Sequence, residues 1–212
     1  LSSGAAATAA PGSSSLRFAF VGLHGGVFDA LQEYGPALDL QLVYVTDEDI
    51  RRDGFDFHGV DVVFLQHLRL EDKDRYVELL TRAKAENPRF AALTCSPLPG
   101  GLLPDLVQNG IVVEDPELQH GYGSTKENLR RMLACAAMRY GGREGTIEPP
   151  VDEPPLLVFH PDHPEGFPDI PSFLEWAAAR EPDTQPQGRV LIVAHPLHLV
   201  FQQAKVVEAL VR

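Results

Sequence analysis

The feature that most constrains the fold is a series of short apolar runs with no polar alternation. Leu16–Leu23 (LRFAFVGL), Leu40–Val45 (LQLVYV), Val60–Leu65 (VDVVFL) and Phe90–Thr94 (FAALT) each read as a strand, and Ile111–Val113 reads as a short fifth. A strand that is apolar along its whole length is covered on both faces. Helical segments lie between the runs, over Val27–Tyr34 and Glu71–Glu86. In the second, Tyr76, Leu79, Leu80 and Ala83 share one face and charges fill the other. Strands alternating with helices predict a doubly wound parallel α/β unit of the flavodoxin-like or Rossmann-like kind.

A further helix closes this unit. Ser124 with Glu127 three residues on predicts a capping box. Leu129, Met132, Leu133, Ala136 and Tyr140 form its apolar stripe, and Gly141-Gly142 ends it. Residues 141–155 (GGREGTIEPPVDEPP) read as a linker. Beyond it, a strand (Leu156–Phe159), a helix (Pro171–Arg180), a strand (Arg189–Ala194) and a helix (Val200–Arg212) predict the start of a second α/β unit. The expected organisation is a leader over 1–15, a first α/β domain over 16–140, the linker, and an unfinished second domain over 156–212. The small, polar leader starts at Leu, and the last helix returns to no further strand, so a piece of a longer protein is expected.

Composition narrows the functional classes. Eighteen Lys and Arg against thirty Asp and Glu leave a formal charge of -12, which argues against a nucleic-acid surface. No apolar run approaches the ~20 residues that span a bilayer. Cys95 and Cys135 lack metal-ligand spacing and read as reduced, buried side chains. The cytoplasm is the expected compartment, or the periplasm if the leader follows a cleaved signal peptide.

The candidate chemistry sits at strand ends. Gly22, Gly25 and Gly26 follow the first strand as GxxGG, which is not the dinucleotide fingerprint, so a tight turn is the plainer reading. His24 in that loop, His67 after the third strand, and His195 and His198 after Arg189–Ala194 all fall on the carboxyl edge where parallel sheets bind ligands. These four are the candidate substrate-binding residues. Asp47, Glu48 and Asp49 read as an acidic helix start. His160, Asp162 and His163 lie in FHPDHPEGFP, where the prolines predict a stiff, extended loop rather than a metal site. No residue is assigned a catalytic role, and no metal ligand is identified.

Five pieces in order carry a family resemblance: the helix GYGSTKENLRRMLACAAMRY with Gly123, Glu127, Asn128 and Leu129; the proline-rich EPPVDEPP; VFHPDHP with His160, Pro161 and Asp162; FLEWAAA with Phe173 and Trp176; and RVLIVAHPLHLVFQQAKVVEALVR. Over about Glu117 to Trp176 and on to the end, the chain resembles the N-terminal region of the cobaltochelatase large subunit and of the magnesium chelatase H subunit. Ala194-His195 stands where that family carries an aromatic-Arg pair, and Leu199 and its neighbours stand where it carries Gly-Asn. The resemblance implies a large subunit that binds a tetrapyrrole for insertion of cobalt or magnesium. It also implies AAA+ partner subunits that hydrolyse ATP and, in the cobalt case, a place in cobalamin synthesis. The fragment alone is expected to be inactive, with the catalytic residues downstream of Arg212. Two alternatives stand beside this: a periplasmic or membrane-associated relative that removes metal from haem, and a stand-alone α/β module for a small ligand.

Overall fold

The computed structural model describes residues 15–94, 103–120, 125–152, 158–160 and 162–180. The leader over 1–14, Cys95, Ser124, the strand expected at Arg189–Ala194, His195, His198 and the helix expected at Val200–Arg212 lie outside the described residues.

Five strands form one sheet: β1 (Leu16–Val21), β2 (Leu40–Val45), β3 (Val62–Leu65), β4 (Ala91–Thr94) and β5 (Val112–Val113). All four pairings are parallel, in the order β2-β1-β3-β4-β5. This is the flavodoxin-like arrangement of the doubly wound fold. The helices are α1 (Gly25–Gln32), α2 (Asp47–Arg51), α3 (Lys73–Glu86), α4 (Pro104–Gln108), α5 (Pro116–His120) and α6 (Lys126–Arg139).

The missing alternation has its cause in two cores. Phe18, Phe20, Val62 and Phe64 face one side and pack with Phe28 and Leu31 of α1 and with Leu129, Met132, Leu133 and Ala136 of α6. Their chain neighbours Ala19, Val21, Val63 and Leu65 face the other side, against Ile50 of α2, Tyr76, Leu79, Leu80 and Ala83 of α3, and Leu106 of α4. Phe20 and Phe64 stack across the β1–β3 pair with centroids 4.7 Å apart. Full burial of each such ring is worth roughly 1.5–3 kcal/mol.

The local signals act mostly as expected. The acidic run after β2 opens α2 in a capping box: the Thr46 hydroxyl accepts the Asp49 N–H at 3.1 Å, and the Asp49 carboxylate accepts the Thr46 N–H at 3.0 Å. α6 departs from expectation. Its cap is Thr125, whose hydroxyl accepts the Asn128 N–H at 3.2 Å. Glu127 therefore lies one position too early for a capping box and instead accepts from Arg130 and Arg131. Those bonds, Arg130 first, hold its carboxyl at about 2. Gly141 must lack a side chain, because a Cβ there would lie 2.5 Å from the Leu16 Cδ1 and 2.7 Å from the Ala137 oxygen.

The described part of the expected linker is strapped to the first unit. Arg143 donates to the carbonyls of Leu38 and Asp39 and pairs with the Asp39 carboxylate at 2.9 Å. Glu148 pairs with Arg130, and Arg131 donates to the Pro149 carbonyl at 2.6 Å.

Beyond it the expected single strand is a hairpin. β6 (Val158–His160) and β7 (His163–Phe167) pair antiparallel, with His160 opposite His163. His160 and His163, expected in a stiff, extended loop, thus lie opposite each other in a hairpin, and α7 (Ile170–Arg180) follows a second strand, not the first. Pro164 and Gly166 weaken the strand signal of β7 in the sequence.

Candidate functional site

In this strand order the chain leaves β1 toward one edge of the sheet and reaches β3 on the other side. The gap between the carboxyl ends of β1 and β3 is the topological switch point, where open α/β sheets bind ligands. Gly22 sits there at φ +71°. A Cβ on it would lie 1.8 Å from the Gln66 carbonyl oxygen. The exits of β1 and β3 therefore run backbone against backbone, and the Gln66 N–H donates to the Val21 carbonyl at 2.9 Å.

This close approach brings together two of the sequence-predicted residues. His24 is the N-cap of α1, and its carbonyl accepts the N–H groups of Val27 and Phe28. His67 follows the end of β3 in the left-handed conformation, at φ 47°. Both side chains are exposed, and their rings meet edge to face with centroids 5.7 Å apart. They stand on the rim of a cleft of about 500 Å³ lined also by Leu23, Tyr44, Thr46, Asp47 and Arg69. That volume is in the range of small-molecule sites.

The cleft walls are fixed by ordinary contacts. The Tyr44 hydroxyl donates to the Leu23 carbonyl at 2.6 Å, and its ring packs on Phe28 at 5.1 Å. Thr46 and its capping box set the start of α2, which places Asp47 at the rim. Asp47 pairs with Arg69, and this bond raises the Arg69 guanidinium above its ordinary pKa. The wall charges thus largely neutralise each other. Neither histidine side chain has a hydrogen-bond partner among the described residues. Sequence reasoning did not identify Tyr44 and Arg69 and took Asp47 only as a helix start, because what assembles them is the position of β2 beside β1.

The other histidines fare differently. His160 packs on Trp176 at 4.9 Å, and His163 packs on Phe167 at 4.1 Å. Asp162 pairs with Arg180 at 2.6 Å, and the Arg180 guanidinium lies over the Trp176 ring. These residues tie the hairpin to α7. No group of three or more His, Cys, Asp or Glu is placed to hold a metal among the described residues. Cys135 is a buried thiol of the α6 face, as expected. No helix among the described residues is long and apolar enough to cross a membrane.

The segment from the end of α5 through α6, the strap, the hairpin and α7 carries the motifs of the chelatase resemblance. Residues 120–212 match the CobN/Magnesium Chelatase family. The match covers just under half of the chain. It contains the Asn128–Leu129 helix, the His160-Pro161-Asp162 sequence and the Trp176 helix on which the resemblance rests. The cleft, built from residues 22–69, lies outside the region matched to the CobN/Magnesium Chelatase family. No curated protein and no solved structure matches the chain significantly.

Proposed function

We propose that this chain is the head region of a tetrapyrrole metal-chelatase large subunit, working with AAA+ partner subunits whose ATP hydrolysis drives insertion of cobalt or magnesium. The observation that supports this is the CobN/Magnesium Chelatase match over residues 120–212. Insertion requires a distorted macrocycle, removal of two pyrrole protons and desolvation of the metal. No residue of this chain is assigned the proton removal. Its part is to hold substrate: His24 and His67 on the cleft rim, with His195 and His198, are the contacts proposed.

The test is porphyrin fluorescence. The native protein, titrated into a tetrapyrrole solution, should quench it. With the ATPase partners, ATP and metal added, it should yield the metallated product. Unchanged fluorescence with every tetrapyrrole tried would sink the proposal.

One observation favours a small-ligand module instead: the whole cleft is built outside the matched region. Under that reading the chain binds a small ligand without any partner, and no metallation follows when the ATPase subunits are supplied.

A further inference from the structure

We infer that His24 and His67 form a two-imidazole site for a late first-row divalent ion, Co²⁺ in preference to Mg²⁺. Neither imidazole holds the fold by a hydrogen bond among the described residues. The N-cap position of α1 favours Ser, Thr, Asp or Asn, whose oxygens accept an orphan N–H. Thr46 and Thr125 do this at α2 and α6, whereas His24, like Asp72 of α3 and Leu103 of α4, makes no such side-chain bond. His67 is held at φ 47°, the left-handed region, which His enters more readily than most residues that carry a side chain. Two exposed imidazoles in ring contact on the ligand edge, neither hydrogen-bonded among the described residues, leave their nitrogens open to a ligand.

Their spacing fits one metal ion. A metal bound about 2.1 Å from an imidazole nitrogen lies about 3.2 Å from the ring centroid, so ligand–metal–ligand angles of about 110–130° set two centroids about 5.2–5.8 Å apart. The observed separation is 5.7 Å, with the rings inclined at 66°. Imidazole nitrogen suits cobalt, nickel, copper and zinc, whereas magnesium takes oxygen ligands. With no third His, Cys, Asp or Glu placed to complete a site among the described residues, water fills the other positions. The partial positive charge at the α1 N-terminus also opposes a cation. Both features make the ion exchangeable, as suits a metal in transit to a macrocycle. That role as cargo rests on the chelatase proposal; binding of the ion does not.

The test is titration of the untagged chain with Co²⁺, followed by calorimetry and by the visible absorption of the bound ion. Three variants accompany it: His24→Ala, His67→Asn and the double variant His160→Ala/His163→Ala. Asn tolerates the left-handed backbone at position 67, so His67→Asn removes the imidazole without the strain that Ala would bring. Loss of an outer-shell partner alone costs about 10–100-fold in metal affinity, so His24→Ala and His67→Asn should each weaken Co²⁺ by about tenfold or more. The hairpin double variant should match the unsubstituted chain, and Mg²⁺ should not compete.

Unchanged Co²⁺ affinity in both single variants would overturn the site. So would loss of binding confined to the hairpin variant, or a cleft that takes inorganic phosphate and no Co²⁺. Equal affinity for Mg²⁺ would overturn the metal preference. Porphyrin quenching is scored separately: Co²⁺ binding without any tetrapyrrole response keeps this site and removes the chelatase proposal, and the reverse result does the opposite.

Discussion

Asn128 and Val151 hydrogen-bond each other twice. The Asn128 amide donates to the Val151 carbonyl at 3.0 Å and accepts the Val151 N–H at 2.7 Å. Asn128 is fully buried on α6, so its amide supplies a strand-like edge to which the chain after the helix is fastened. Replacing it with Ala leaves two backbone groups of Val151 without that partner. Asn128→Ala should destabilise the protein by about 1–3 kcal/mol in urea unfolding and hasten protease cleavage between residues 143 and 151. Equal stability and equal cleavage would show that the strap does not depend on this amide.

Among the described glycines, Gly22 is the one whose added Cβ would meet its neighbour most closely. A Cβ would overlap the Gln66 carbonyl at 1.8 Å, on a backbone already at φ +71°. Relief requires β1 and β3 to separate at their carboxyl ends. Gly22→Ala should cost about 3 kcal/mol or more. Gly25→Ala should cost about 1 kcal/mol or less by the same measurement, since nothing lies within 4 Å of a Cβ there. Equal effects of the two would contradict the packing described.

Asp115 predicts an acid limb of stability. Burial alone would raise its carboxyl, but the Tyr140 hydroxyl, Arg139 and the Leu118 N–H outweigh burial and hold it below the ordinary carboxylate range. A depressed folded pKa contributes stability that is present above the unfolded value of about 3.9 and is lost as pH falls through the lower folded value. Glu127, held at about 2, acts in the same direction, though its exposure to solvent weakens the effect. Stability measured from pH 6 to pH 2 should therefore fall below about pH 4. Asp115→Asn should cost about 1–3 kcal/mol at pH 6 and flatten that fall. An unaltered acid profile would count against the network.

The cap of α6 can be read by substitution. Thr125→Ala should cost about 1 kcal/mol, the usual value of an N-cap hydroxyl. Thr125→Ser keeps the oxygen and should cost only a fraction of that. If chemical denaturation finds Thr125→Ala neutral, the helix does not start where described.

The sheet was legible because burial on both faces leaves an unbroken apolar run, and Phe18-Ala19-Phe20-Val21 is such a run. The cap of α6 misled by one residue because Ser124 and Thr125 are both hydroxylated and only the backbone register separates them. The hairpin was hidden because HPEGF carries Pro and Gly where a strand signal needs branched or aromatic residues. His24 and His67 could be placed on the ligand edge from strand order alone. Their mutual approach could not, since it follows from the contact of Gly22 with Gln66. Tyr44 and Arg69 needed the spatial neighbours of β1, which a linear sequence does not encode by spacing.

Phe18, Phe20 and Phe64 are covered on one side by α6, a helix that arrives more than a hundred residues after the first of them. A ribosome that has released only the five strands and α1 to α5 therefore holds a half-clad sheet. The border at residue 120, where the CobN/Magnesium Chelatase match begins, is no border in folding: a polypeptide cut there would leave the part of the aromatic face that α6 covers open to water and should clump instead of standing alone.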